Sequence, residues 1–89
     1  APHCPLSPVA LAASLQLDAA CPNFLIQEHV TLGETLLAEP FVIEAGHIRV
    51  PVRPGLGIEL DEQKLATEGF DGVWDTPRFT AEDGGFAEW

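Results

Sequence analysis

The order of elements in the sequence predicts an α/β fold. A capped helix over residues 8–20 leads directly into a short continuous apolar run, Phe24-Leu25-Ile26. A helix followed at once by a strand apolar on both faces is the αβ half of a repeating βα unit, because a strand covered by helices on either side loses the polar alternation of a half-exposed sheet. The third observation is a spacing. His3 stands just before the helix and Glu28 just after the strand, 25 residues on, which matches one βα repeat. A histidine and a glutamate at the same end of consecutive units form a site pattern rather than a packing pattern.

The elements follow in order. Ser7 is a good N-cap and Pro8 suits the first helical position, where its missing N–H costs nothing. The helix then runs to about Ala20, with Val9, Ala12, Ala13, Leu15 and Ala19 able to supply an apolar face, and Pro22 stops it. After the strand at 24–26, a brief helical stretch is expected over 32–37, ended by Pro40. Phe41–Glu44 and His47–Val50 flank Ala45-Gly46, which reads as a tight hairpin. Ile48, Val50 and Val52 point one way, with His47, Arg49 and Pro51 opposite. Pro54-Gly55 reads as a turn, and the alternation of Leu56, Ile58 and Leu60 predicts a further short strand. Asp61 caps a helix of about two turns that passes Leu65 and stops at Gly69. Residues 70–89 carry Gly72, Pro77, Gly84 and Gly85 among scattered aromatics and read as an irregular tail that packs Trp74, Phe79, Phe86 or Trp89 onto something else.

Composition narrows the function. Fourteen acidic against four basic side chains give a net charge of −10, which argues against nucleic acid or an anionic membrane as ligand, since both demand a basic face. The sequence has no apolar run long enough to span a bilayer and no basic n-region of a signal peptide, so a cytoplasmic setting is expected. Cys4 and Cys21 are the only cysteines. They bracket one helix, whose rise of about 1.5 Å per residue holds them far beyond the ~7 Å Cα limit of a disulfide, so free thiols are expected. Hydrophobic content of 46% suits globular packing, yet a domain of this size buries only about 60% of its unfolded surface. Its apolar faces are expected to need a partner.

Several segments together carry a resemblance. These are the opening Ala1-Pro2-His3-Cys4-Pro5-Leu6-Ser7-Pro8, the helical run Ala10–Asp18, Pro22–Glu28 with its Gln27-Glu28 pair, Arg53–Glu62, and the terminal Ala87-Glu88-Trp89. The chain resembles the C-terminal part of the galactonate dehydratases, acid-sugar dehydratases of the mandelate racemase subgroup of the enolase superfamily. The resemblance covers nearly the whole chain, while the segment between Glu28 and Phe41 looks shorter than in that family and has His29 where another polar residue is expected. It implies an enolase-type (β/α)₈ barrel, which needs roughly 250 residues, so the chain is expected to be a C-terminal piece. Residues 1–40 would be the last βα units of the barrel, and 41–89 a hairpin and tail packing on the capping domain. The partners implied are the sugar-acid substrate, the remainder of the barrel and the capping domain, and further copies in a homo-oligomer.

The resemblance also assigns roles. On its residues alone, His3 is open between a surface loop histidine, a cap on a local carbonyl and a functional base. In the family, the histidine of this Pro-His-Cys-Pro motif is the general base that removes the proton α to the substrate carboxylate. An imidazole with a reference pKa of about 6.5 suits that work at physiological pH, and Pro2 and Pro5 stiffen its backbone. Glu28 is otherwise a solvated strand-end glutamate; its family counterpart stabilises charge on the substrate carboxylate as the enolate forms, a donor role that requires a protonated carboxyl. His29 adjoins the pair and is a weaker candidate for a substrate hydroxyl, against a plain rim position. His47 reads as structural. The family uses one Mg²⁺, a cation that suits carboxylate ligands, and its three acidic ligands are expected before residue 1, as are the acid that protonates the departing hydroxyl and the aspartate partner of the base. Asp61-Glu62 reads as a helix cap and Glu82-Asp83 as a charged loop, so neither substitutes. The expected activity is dehydration of a sugar acid, galactonate first, to a 2-keto-3-deoxy aldonate. Gluconate or another aldonate, a racemase or epimerase of the same superfamily, and a small acidic interaction module without catalysis stand as the alternatives.

Overall fold

A computed structural model of the chain describes residues 1–4, 6–30, 33–69, 72–73 and 80–85. Within these the element order is helix α1 (Pro8–Ala20), a 3₁₀ turn (Glu34–Leu36), strands β1 (Ile43–Glu44) and β2 (His47–Ile48), and helix α2 (Glu62–Glu68).

Helix α1 has the predicted bounds. Ser7 takes the extended backbone of an N-cap without a side-chain cap bond, and Pro8 occupies the first turn. Its buried stripe is Pro8, Leu11, Ala12, Leu15 and Asp18, spaced as one helical face. This differs from the expected face. Ala12 and Leu15 are buried as predicted, but Val9, Ala13 and Ala19 face solvent and Leu11 lies inside. The reason is that α1 is apolar almost all round, so periodicity cannot select a face and the neighbours decide. Those neighbours are Cys4, packed with Leu11 and Leu15, and Phe41 and Ile48 around them.

The hairpin closes where the sequence predicts. Ile43 pairs with Ile48 and Glu44 with His47 in antiparallel register. Ala45 (φ 50°) and Gly46 (φ 77°) both adopt left-handed backbone, as a two-residue type I′ connection requires. His47 Nδ1 lies 2.9 Å from the Ala45 carbonyl, a local bond in keeping with a structural histidine. Past the hairpin, Gln16 Nε2 donates to the Pro51 carbonyl at 2.8 Å and ties α1 to this segment. Gly57 N–H donates to the Pro54 carbonyl, so the Pro54–Gly57 stretch is the expected turn.

Helix α2 is capped by Asp61, whose side chain accepts from Lys64 N–H. Leu37 is buried and bridges Leu60, flanked by bonds from Ala38 N–H to the Glu59 carbonyl and from Asp61 N–H to the Leu36 carbonyl. Lys64 Nζ reaches the Thr35 carbonyl at 3.0 Å. The 3₁₀ turn and α2 thus form a second small unit.

Two expectations are corrected. Phe24-Leu25-Ile26 is extended but forms no ladder among the described residues, and its side chains are exposed, Leu25 at 84%. A strand buried on both faces needs neighbouring strands and covering helices, and the described residues supply neither. The strand expected over 56–60 is likewise reduced to the single Leu37–Leu60 bridge. The brief helix expected over 32–37 is a 3₁₀ turn of three residues. Trp74, Phe79, Phe86 and Trp89 lie outside the described residues.

Candidate active site

His3 and Glu28 come together. The segment 1–4 leading into α1 and the extended segment 24–30 leaving it run side by side, so residues 25 apart in sequence meet at one end of the helix. His3 Nδ1 lies 2.5 Å from Glu28 Oε2, and the same oxygen accepts the Cys4 N–H at 2.9 Å. A carboxylate that takes both a backbone N–H and an imidazole N–H is fixed in position and fixes the ring in turn. When Nδ1 is the donor to Glu28, Nε2 carries the lone pair of the neutral imidazole.

The two side chains differ in exposure. His3 is 79% exposed and Glu28 43%, so the imidazole stands open to an incoming molecule while the carboxylate is partly sheltered behind it. Cys4, between the site and the core, is 1% exposed and packs on Leu11 and Leu15. The hydrophobic core therefore anchors the residue next to the candidate base.

Gln27 adds a second link between the segments. Its Nε2 donates to the Pro2 carbonyl at 3.4 Å and to the Glu28 carbonyl at 2.5 Å. The sequence marked Gln27 only as half of a motif, with no role for its amide. A side chain that bonds backbone across segments leaves no periodic signal.

His29 lies close in sequence but faces elsewhere. Its Nε2 is 3.4 Å from Glu34 Oε1, and both side chains are more than four-fifths buried. A cavity of about 690 Å³ lies against the hairpin and is lined in part by Phe41, His47, Arg49, Arg53 and Ile58; it includes neither His3 nor Glu28. Among the described residues no three His, Cys, Asp or Glu groups come together as a metal site, and no helix is long and apolar enough to cross a membrane. Asp61 serves as a helix cap and Asp83 accepts from Gly85 N–H in a turn.

Residues 1–64 match the family model described as enolase C-terminal domain-like. Over its whole length the chain is 42% identical to a D-galactonate dehydratase of Variovorax paradoxus (strain S110), 39% to one of Ralstonia pickettii (strain 12J) and 37% to one of Cronobacter sakazakii (strain ATCC BAA-894). In each case it spans 26% of the relative's length. The aligned stretch is 100 residues for a chain of 89, so the relatives carry residues here that this chain lacks. No solved structure matches the chain.

Proposed function

Because the chain belongs to the enolase C-terminal domain-like family, we propose that it is a piece of a Mg²⁺-dependent sugar-acid dehydratase with galactonate as substrate. In this reading residues 1–40 are the last βα units of a (β/α)₈ barrel and 41–89 pack on the capping domain. The relatives named D-galactonate dehydratase support the substrate. One observation carries the chemistry: His3 and Glu28 are in direct contact, with the imidazole outermost.

His3 is the general base. Its Nδ1–H donates to Glu28, which holds the ring and leaves Nε2 free to take the proton α to the substrate carboxylate. The electron pair of the broken C–H bond moves toward the carboxylate to give the enolate. Its return expels the 3-hydroxyl as water, once that group is protonated by an acid from outside this chain, and the enol product tautomerises to the 2-keto-3-deoxy acid. Glu28 serves the enolate as well. Its contacts with His3 and Cys4 both use Oε2, so a proton carried on Oε1 would be donated to the carboxylate oxygen where charge develops. His29 could meet a substrate hydroxyl only through Nδ1, since Nε2 faces Glu34. In this reading the Mg²⁺ ligands lie in the part of the relatives' length that this chain does not span.

The test is His3→Asn in the full-length protein. Asn keeps a polar contact but cannot take the proton, so formation of 2-keto-3-deoxy acid from galactonate should fall by at least about 100-fold with substrate binding retained. Activity within a few fold of the parent would remove His3 from the mechanism. Exchange of the α-proton with solvent deuterium, without loss of water, would instead identify the racemase or epimerase alternative.

A further inference from the structure

The backbone around His3 is held from both sides. The residue before it offers its carbonyl to Gln27 Nε2, and the residue after it donates its N–H to Glu28 Oε2. Consecutive residues of one segment thus grip the two peptide groups that flank a single residue of the other.

The orientation of the Gln27 amide is determined by its surroundings. Nε2 faces two carbonyl oxygens, those of Pro2 and Glu28, and turning the amide over would set Oε1 against both, acceptor against acceptor. In the observed orientation Oε1 is buried with no hydrogen-bond partner among the described residues. A buried acceptor without a donor is a cost that an apolar side chain of the same shape would avoid. Packing therefore gives no reason for glutamine at this position, whereas the donor function does.

We infer that Gln27 is a positioning residue for the reaction, which fixes the His3 loop through the Pro2 carbonyl while Glu28 fixes it through Cys4 N–H. The inference rests on His3 being the base. A base displaced by about 1 Å loses rate far more than it loses substrate affinity, because proton transfer depends on near-attack geometry and binding is spread over many contacts.

The experiment compares Gln27→Met and Gln27→Glu in the full-length protein with His3→Asn in parallel. Met preserves length and removes the donor. Its kcat should fall about tenfold to a hundredfold, with KM within a few fold and a melting temperature equal to or above the parent's. Glu brings oxygen against the Pro2 carbonyl and should lower kcat further. If kcat of the Met variant stays within a few fold while His3→Asn is inactive, the inference on Gln27 fails and the role of His3 stands. If the Met variant loses activity only in proportion to a lost melting transition, Gln27 is purely structural and the inference is overturned. If His3→Asn retains activity, the assignment of the base fails and the inference falls with it.

Discussion

At the scale of single residues, what distinguishes the candidate site is how much depends on one carboxylate oxygen. Glu28 Oε2 meets both the imidazole of His3 and the N–H of Cys4, so catalytic group and anchor share an acceptor. Cys4 in turn is packed into the core. Its thiol and that of Cys21 are both free but differ in access, Cys4 being 1% exposed and Cys21 half-buried. An alkylating reagent should therefore modify Cys21 first in the native full-length protein and Cys4 only on unfolding, since a buried thiol does not meet the reagent. Peptide mapping by mass spectrometry reads this directly. Equal native rates would mean that the Cys4 packing is wrong. Asp18 is a residue that hydrophobic periodicity passes over entirely: it lies on the buried stripe of α1, 7% exposed, with neither carboxylate oxygen bonded among the described residues.

At the scale of elements, the helices and the hairpin form where local chemistry alone specifies them. Ser7-Pro8 starts α1, Asp61 caps α2, and Ala45-Gly46 turns the hairpin. The hairpin also contains a local conflict. Ala45 holds φ at 50°, a region that costs a residue with a Cβ roughly 1 kcal/mol and that Asn tolerates better. Ala45→Asn should therefore stabilise the full-length protein by about 0.5 kcal/mol or more, seen as a higher urea midpoint with unchanged slope. A lower midpoint would show that the turn is held differently. The strands fared otherwise: the hydrophobic runs at 24–26 and 56–60 are legible as extended apolar chain, but a ladder requires a second strand, which neither run specifies.

At the scale of the whole molecule, burial is sparse. Among the described residues the buried hydrophobics are Cys4, Leu11, Ala12, Leu15 and Leu37, while Leu25, Ile26, Val42, Ile43, Val52 and Val73 are more than half exposed. The radius of gyration is 16.7 Å, against about 12 Å for a compact domain of this length. Residues 1–89 produced alone should accordingly bind a hydrophobic dye, unfold without a cooperative transition and show no dehydration of galactonate with Mg²⁺ present. A sharp calorimetric transition would show that these residues fold independently. Turnover would show that the chemistry needs no group beyond them.

By itself, the sequence determined the bounds of α1 and α2, the hairpin turn, and the pairing of His3 with Glu28 as a candidate site. The elements rest on short-range rules, a cap, a proline and a two-residue turn, whereas the His3–Glu28 pair rests on a spacing of 25 residues and on the family resemblance. Only the tertiary structure decided which face of α1 is buried, that Gln27 bonds across to Pro2, and that His29 turns to Glu34. A helix apolar on every side has no preferred face until Cys4, Phe41 and Ile48 pack against it. Likewise an amide or imidazole carries no mark of its partner until the folded chain brings the two together, because hydrogen bonds act over about 3 Å in space and not along the chain.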